Sequence, residues 1–288
     1  MSQSLVLIYA ITYSVALLTL ISLGLAVIFG MMRVINFAHG EFIMLGGYAT
    51  VISANHGVNI WVAMLIVAPV SVGLIGIVAE RLIIRRLYAH AISTMLATWG
   101  LSLFIIGVTT SLFGTAVLGV RAPLGHLSFG AFSISIYQIF LIVAAIGLTV
   151  GLLLVLKRTS LGLVARGTMQ NPEMASTIGI DPSRVYAATF AIGAALSGLA
   201  GGLLAPVSGV IPTIGSTYIA RAFVTVISGG SALVTGTVSA AALLGPIEAI
   251  VSYTMTPTIG QAALLIVAII LLRILPQGIS GFWQRARA

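Results

Sequence analysis

The chain has 288 residues, of which 13 are Lys or Arg and 5 are Asp or Glu, so charged residues make up only 6% of it. Hydrophobic residues account for 59%, and the mean hydropathy is +1.19. So few polar groups cannot cover a water-facing surface, which excludes a soluble globular domain and a disordered chain. An outer-membrane barrel is also excluded, because its strands alternate polar and apolar residues. The composition therefore predicts an all-α, polytopic membrane protein.

The net charge of +8 does not indicate nucleic-acid binding. Its basic residues are spread along the chain and form no patch dense enough to follow a phosphate backbone. Cysteine is absent, which excludes disulfides and thiolate metal sites. The 32 glycines suit close helix packing and broken helices within a bilayer.

Apolar stretches predict about eight transmembrane helices, because one span needs about 20 apolar residues. The predicted spans lie within residues 5–32, 42–79 (two spans separated by Asn55-His56-Gly57-Val58-Asn59), 92–113, 134–156, 186–205, 217–253 and 261–276. The first stretch is too long for the apolar core of a cleaved signal peptide, so we expect a span there. Residues 219–228 form a shorter segment that either crosses or re-enters the membrane. Residues 1–288 are expected to form a single transmembrane domain.

Basic residues predict which loops face the cytoplasm, where Lys and Arg collect. The three basic clusters are Arg81, Arg85 and Arg86; Lys157, Arg158, Arg166 and Arg184; and Arg285 with Arg287. Residues 114–133 carry only Arg121 and are predicted to face the other side. The C-terminal cluster is cytoplasmic only if 219–228 crosses the membrane. The longest polar insertion, 157–184, is too short to hydrolyse ATP and the chain has no P-loop, so any ATP site lies on another chain.

A polar island between the first two predicted spans contains the first candidate site. Its residues are Arg33, Asn36, Phe37, His39, Gly40 and Glu41. Asn36 is expected to cap the next helix, and Gly40 to allow close backbone approach. The island is either a broken helix lining a substrate path or an interfacial turn with Arg33 reaching the headgroups. His39 and Glu41 do not share a helix face, which argues against a metal site. An intramembrane enzyme that uses His39 and Glu41 is disfavoured because the other histidines lie near predicted span ends and complete no catalytic set.

The second candidate site is a short helix in the predicted cytoplasmic loop. The helix signals are Asn171 as the N-cap, Pro172 at the first helical position, Glu173 in the first turn, Gly179 as the stop and Pro182 beyond it. They predict about two turns, in which Met174 and Ile178 share an apolar face. This helix has nothing in its own loop to pack on, which favours a partner protein over a simple connector.

The third candidate site joins Arg221 and Glu248, which both lie in apolar stretches. Unpaired charges in lipid cost several kcal/mol, so we expect either mutual pairing or an aqueous cavity. A structural ion pair and a transport pathway both remain open. The small-residue segment 228–236, with Gly229 and Gly230, indicates either a broken helix or a packing face.

Several of these motifs resemble one known family. Val34-Ile35-Asn36-Phe37-Ala38-His39-Gly40-Glu41 resembles the N-terminal signature of the permeases of branched-chain-amino-acid-type ABC importers. Glu173-Met174-Ala175-x-x-x-Gly179 resembles the Glu-Ala-Ala-x-x-x-Gly loop by which importer permeases dock on their ATPases. Arg221-Ala222-Phe223, Gly229-Gly230 and Pro276-Gln277-Gly278-Ile279 follow in the family's order, so the resemblance covers nearly the whole chain.

The resemblance implies a transport subunit of the bacterial inner (plasma) membrane that is not itself an enzyme. It implies a second related permease or a second copy, two cytoplasmic ATPases that hold ATP and Mg, and an extracytoplasmic solute-binding protein. Transport would proceed by alternating access. It places Glu173, Ala175 and Gly179 in the ATPase groove. Together with the helix signals, the predicted ATPase contact comprises Asn171, Pro172, Glu173, Met174, Ala175, Ile178 and Gly179. The substrate path predicted from the first and third sites comprises Asn36, Phe37, His39, Gly40, Glu41, Arg221, Gly229, Gly230 and Glu248.

The substrate implied by the resemblance depends on the branch of the family. Four segments look most like the urea and short-chain amide branch: Glu80-Arg81-x-x-Ile84-Arg85-x-Leu87-Tyr88, Leu96-Ala97-Thr98-Trp99-Gly100, Phe132-Ser133-Ile134-Ser135 and Met169-Gln170-Asn171. They predict uptake of a small neutral nitrogen compound. Arg221 and Glu248 look more like the branch for branched-chain amino acids, which is the alternative. Ala232 and Leu233 depart from both branches, which usually have Gly and Ser there. A stand-alone channel or secondary carrier for the same solutes is the remaining alternative.

Overall fold

A computed structural model describes residues 2–88, 90–129 and 132–285, and Arg287 of the predicted C-terminal cluster lies outside these ranges. Its elements are α1 (Ser2–Met32), α2 (His39–Asn55), α3 (Ile60–Val62), α4 (Ala68–Leu82), α5 (Ala91–Phe113), β1 (His126–Phe129), β2 (Phe132–Ser135), α6 (Ile136–Arg158), α7 (Ser160–Gln170), α8 (Pro172–Thr177), α9 (Pro182–Ser208), α10 (Ile214–Gly229), α11 (Leu233–Thr254), α12 (Pro257–Ile274) and α13 (Gly278–Arg285). A π-helical turn at Ala63–Val67 joins α3 to α4, and a 3-10 turn at Ile84–Leu87 follows α4.

Within the described residues, seven helical segments are long and apolar enough to cross a membrane. They are Ser4–Met32, Ile60–Leu82, Ala91–Phe113, Ile136–Arg158, Pro182–Ser208, Leu233–Thr254 and Pro257–Gly281. The predicted all-α, polytopic architecture is confirmed. The remaining predicted span corresponds to α2, whose 17 residues rise only about 26 Å, less than the roughly 30 Å hydrocarbon core. Most of α2 is buried, so protein rather than lipid surrounds it.

The chain forms two compact units. Unit 1 contains Met1–Ser22, Ala122–Val150 and Ala220–Ala288, and unit 2 contains Leu23–Arg121 and Gly151–Ile219. The helices α1, α6 and α10 each contribute residues to both units.

The core of unit 2 is formed by α9 packed against α2 and α4. Small residues line these contacts, because a Cβ on Gly46 would overlap the backbone of Gly198, and one on Gly201 would overlap the Ile43 carbonyl oxygen. Their backbones therefore approach more closely than ordinary side chains allow. The rings of Phe42 and Phe190 meet edge to face at 5.9 Å beside this contact. The result is a rigid pair of helices around which the rest of unit 2 is arranged.

Contacts at the two ends of unit 2 show which of its loops lie together. At one end the rings of Tyr88 and Tyr186 are 5.0 Å apart, which joins the loop after α4 to the first turn of α9. At the other end Leu118 and Val210 form an isolated β-bridge, with N–O distances of 3.0 and 2.7 Å. The basic segments around Arg81 and Arg184 thus share one end of this unit, as their predicted common side requires.

Unit 1 contains an antiparallel pair of helices, α11 and α12, and a short hairpin that the sequence analysis did not predict. In the hairpin Ser135 pairs with His126 and Ile134 pairs with Leu127. The fifth predicted span, placed at 134–156, therefore begins two residues too early. Ile134 and Ser135 belong to β2, and α6 starts at Ile136. The Tyr9 hydroxyl donates to Gln138 Oε1 at 2.7 Å and connects α1 to α6 within this unit.

We expect the Gly201→Ala substitution to destabilise the protein. The added methyl group would overlap the Ile43 carbonyl oxygen and force α2 and α9 apart, an overpacking cost of roughly 1–3 kcal/mol. Thermal unfolding in detergent measures the effect. Gly107→Ala is the matched control, since a Cβ at this α5 position meets nothing within 4 Å. Equal melting temperatures for the two variants would contradict the close packing.

Candidate functional site

The polar island is a buried break between α1 and α2. The helix α1 ends at Met32, and Arg33 has a left-handed backbone with φ 53°. Asn36 Oδ1 accepts a hydrogen bond from the Ala38 N–H at 3.0 Å, which forms a turn two residues ahead of the helix. The expectation that Asn36 is the N-cap of α2 is therefore wrong. Ala38 occupies that position without a side-chain cap, because the Asn36 side chain is used by the preceding turn.

Hydrogen bonds to two other helices hold this break in place. Ser197 Oγ of α9 and His39 Nδ1 are 3.1 Å apart, and Thr98 Oγ1 of α5 accepts from the Phe37 N–H at 3.1 Å. A hydrogen bond also joins Glu41 to Ser102 of α5. Asn36, His39 and Glu41 are all buried, whereas Arg33 is exposed. The part of the island from Asn36 to Glu41 is therefore an internal break rather than an interfacial turn.

Two polar atoms in this break have no hydrogen-bond partner among the described residues: Asn36 Nδ2 and Glu41 Oε2. Buried polar atoms are nearly always paired with protein or ordered water, so this pair is available to water or to a solute. Gly40 has the predicted close approach, since a Cβ there would overlap the backbone of Gly215. The break can therefore offer both a donor and an acceptor at a point where backbones converge.

The predicted loop helix is present as α8. Asn171 Oδ1 accepts from the Met174 N–H at 3.0 Å, Pro172 is the first helical residue, and Gly179 leaves the helix with φ +85°. Glu173 is exposed, and Met174 and Ile178 have 61% and 72% of their surface exposed. An exposed apolar face beside a carboxylate is the surface that a partner protein could cover.

The helix α8 is not alone in its loop, which corrects the sequence analysis. The preceding α7 begins at Ser160 with Thr159 as its N-cap, whose Oγ1 accepts from the Gly162 N–H at 3.2 Å. It packs on α8, and Ala175 is buried. Leu161 and Leu163 on α7 are 70% and 65% exposed, so they enlarge the exposed apolar surface of the loop.

Arg221 and Glu248 form a buried ion pair in unit 1. Arg221 Nη1 donates to Glu248 Oε1 at 3.0 Å, and only 10% and 9% of the two side chains is exposed. Ser14 Oγ donates to the other carboxylate oxygen at 3.3 Å. The predicted mutual pairing is thus observed. A buried pair of this kind holds a fixed positive and negative group in a medium where each would be costly alone.

The glycine pair at the end of α10, Gly229 and Gly230, forms a turn and a packing contact. Gly230 has φ +78°, and a Cβ there would overlap the backbone around Gln277 and Gly278. The Ala232 N–H donates to Ser280 Oγ at 3.1 Å, so the two segments are tied together. Gly229 lies against Gly236 of α11. These contacts favour a break held by small-residue packing over a substrate contact at Gly229 and Gly230.

One buried carboxylate, Glu80, was not identified as a candidate site from sequence. It is fully buried at the end of α4 and accepts a hydrogen bond from the Tyr88 hydroxyl. Burial, together with the hydrogen bond to Glu80, raises the pKa of Tyr88, so the phenol stays protonated and donates. The two residues are eight apart across a 3-10 turn, a spacing with no helical or strand periodicity to indicate contact.

The candidate residues thus fall into three separate groups. Asn36, His39 and Glu41 lie in unit 2, and Arg221 with Glu248 lies in unit 1. Among the described residues, no three His, Cys, Asp or Glu side chains are placed to bind a metal ion. The residues of α8 form the third group, at the end of unit 2 that carries Arg184.

A protein-family comparison matches almost the entire chain. The family profile described as "Branched-chain amino acid transport system / permease component" covers residues 7–275. The probable branched-chain amino acid transport permease protein LivH of Methanocaldococcus jannaschii is 30% identical over 306 aligned positions, covering 100% of this chain and 96% of that protein.

Two further relatives have similar names. The high-affinity branched-chain amino acid transport system permease protein LivH of Escherichia coli K12 is 28% identical over 278 positions, 91% of this chain and 90% of the relative. The corresponding BraD protein of Pseudomonas aeruginosa is 30% identical over 247 positions, with 80% of each chain covered. No solved structure matches the chain significantly.

We expect single replacements in the buried ion pair to destabilise the protein more than a double replacement. Arg221→Met alone leaves the Glu248 carboxylate buried without its ion-pair partner, and Glu248→Gln alone does the same to the Arg221 guanidinium. An unpaired buried charge costs about 3–5 kcal/mol. The combined variant removes both charges and should recover part of that loss. Thermal unfolding of the four proteins gives the coupling. The exposed pair Arg184–Asp181, 3.2 Å apart, is the control and should show less than about 1 kcal/mol. Additive effects at Arg221 and Glu248 would contradict the pairing.

Proposed function

Because this chain belongs to the family of permease components of branched-chain amino acid transport systems, we propose that it is the permease of an ATP-driven importer of branched-chain amino acids. The observation that carries the proposal is α8, a short exposed helix at one end of unit 2. The sequence of the chain contains no P-loop, so an ATP site would have to be supplied by another chain. Its family, together with the seven long apolar helices among the described residues, makes the chain a multi-pass transport subunit of the inner (plasma) membrane.

The proposed ATPase contact is the exposed surface of α8. Met174 and Ile178 supply apolar area, and the exposed Glu173 supplies a charge that can be paired across an interface. The helix is connected to α9 by only four residues, in which Asp181 caps α9 through the Ser183 N–H at 2.9 Å. Movement of α8 by an ATPase would therefore act directly on α9 and, through its glycine contacts, on α2.

The remaining partners are proposed from the family resemblance. A second permease, either related or identical, would complete the pathway, and two cytoplasmic ATPases would supply ATP and Mg. An extracytoplasmic solute-binding protein would deliver the substrate to the side opposite α8. In this arrangement residues 1–288 act as one transmembrane domain, and the loop at 157–184 is its coupling segment.

The relatives favour branched-chain amino acids over the urea and amides predicted from motifs. Three relatives from separate organisms are named for branched-chain amino acid transport. The Arg221–Glu248 pair is also suited to a zwitterion, whose carboxylate and ammonium groups could exchange with the two side chains. Urea carries no charge and needs no such pair. We also propose that Asn36, Phe37, His39, Gly40 and Glu41, a separate polar group within unit 2, contact the transported amino acid, because the unpartnered atoms Asn36 Nδ2 and Glu41 Oε2 could solvate it.

The substrate test is uptake by liposomes that contain the complete importer and its binding protein. We expect ATP-dependent accumulation of leucine, isoleucine or valine, with no competition from urea or acetamide in excess. Uptake of urea without uptake of leucine would overturn the substrate assignment while leaving the importer intact. Liposomes that contain this chain alone test the channel or carrier alternative, and solute flux without ATPase subunits would support that alternative.

We expect Glu173→Lys to reduce ATP-driven uptake by about tenfold or more, because reversing a charge at the centre of an interface typically costs about 2 kcal/mol or more. Membrane insertion and thermal stability should not change, since Glu173 is exposed and its side chain caps nothing. Arg86→Glu, which reverses an exposed charge on the 3-10 turn after α4 and outside α8, is the control and should transport normally. Normal uptake by the Glu173 variant would count against α8 as the coupling helix.

A further inference from the structure

A cleft of about 260 Å³ opens between α4 and α9 at the end of unit 2 that carries the basic loops. Arg81, Arg85 and Arg184 lie at its rim. All three side chains are exposed, and neither Arg81 nor Arg85 forms an ion pair within the described part of the chain. The pairing of Arg184 with Asp181 is highly exposed and neutralises little of this charge. The rim therefore carries three guanidinium groups, and the Asp181 carboxylate forms only a weak, exposed ion pair with one of them.

The floor of the same cleft is apolar. It is lined by Ile77 of α4 and by Ala187, Ala188 and Ala191 of α9. Arg85 and Ile77 are separated by about 12 Å along the axis of α4. The lining of the cleft therefore changes from charged to apolar over a distance of roughly half the length of an acyl chain. Exposed apolar side chains continue beyond it, with Val78 at 55% and Ile192 at 45%.

We propose that this cleft, which we call the α4–α9 cleft, binds an anionic phospholipid from the cytoplasmic leaflet. The phosphate would accept hydrogen bonds from the arginines at the rim, and an acyl chain would lie over Ile77 and the three alanines. Guanidinium groups bind phosphate oxygens in a bidentate manner, and basic pockets between transmembrane helices on the cytoplasmic side suit anionic headgroups. The predicted cytoplasmic side of these arginines places the cleft in that leaflet.

The gradient from charge to apolar surface favours a lipid over two other occupants. A free phosphate ion needs the guanidinium rim but has no use for the apolar floor. A soluble ATPase can reach α8 and the loops, but it cannot lie along the apolar side of α4 and α9 within the bilayer. The lipid assignment does not depend on the proposed transport function, because it rests only on this cleft and on the position of the chain in a membrane.

The test measures lipid retention by the full-length protein after detergent purification, using native mass spectrometry with dioleoylphosphatidylglycerol and dioleoylphosphatidylcholine as probes. We expect preferential retention of phosphatidylglycerol. The Arg81→Gln/Arg85→Gln variant should lose it about 25-fold, since each basic group near an anionic lipid contributes about fivefold. Arg86→Gln is the matched control, because Arg86 is exposed on the same 3-10 turn but does not line the cleft. The Arg81→Lys/Arg85→Lys variant keeps the charge and should retain more lipid than the Gln variant.

A second variant separates lipid from a free anion. Ala188→Leu keeps all three arginines but fills the apolar floor, so phosphatidylglycerol retention should fall while binding of inorganic phosphate does not change. Excess inorganic phosphate should not displace the lipid. Three outcomes would overturn the proposal. They are equal retention by the Arg81/Arg85 and Arg86 variants, displacement by inorganic phosphate, and loss of the lipid when the second permease and the ATPases are assembled, which would mean that protein covers the cleft.

Discussion

The backbone contact between α2 and α9 is the interaction on which most of unit 2 depends. Gly46 faces Gly198 and Gly201 faces the Ile43 carbonyl, so these two helices meet without side chains between them. Because α2 is too short to span a bilayer and is mostly buried, it is stable only when other helices surround it. The same contact brings Ser197 within hydrogen-bond distance of His39, which fixes the polar break at the start of α2. Helix packing and the candidate site therefore have one physical origin.

The five acidic residues separate by location into two classes. Glu41, Glu80 and Glu248 are buried, and each has a hydrogen-bond or ion-pair partner from another part of the chain. Glu173 and Asp181 are exposed in the loop at 157–184, where Glu173 lies in the first turn of α8 and Asp181 caps α9. A carboxylate in an apolar interior persists only where it is paired. This distribution explains why so few acids occur and why each has an identifiable environment.

The sequence predicts local structure better than contacts between distant segments. Asn171, Pro172 and Gly179 predict α8 because capping and termination are decided within a few residues. The cap assigned to Asn36 is wrong because an Asn side chain can serve a turn as readily as a helix, and tertiary contacts decide which. The sequence does not predict α7, because its N-cap Thr159 and first residue Ser160 follow directly on the basic residues that end α6 and have the polar character of a loop.

The contacts that sequence periodicity cannot reveal are those between segments far apart in the chain. Nothing near Gly230 indicates that it packs on Gln277, and eight residues of regular helix would hold Glu80 and Tyr88 about 12 Å apart along the axis. These two contacts share one feature. Each lies at the end of a helix and connects a loop to that helix. At such positions a displaced loop must carry its helix along. Tyr88 also contacts Tyr186 near the start of α9, so in the proposed coupling a displacement of α8 would act on both α9 and the end of α4. The proposed coupling loop is thus connected to two of the three helices that form the core of unit 2.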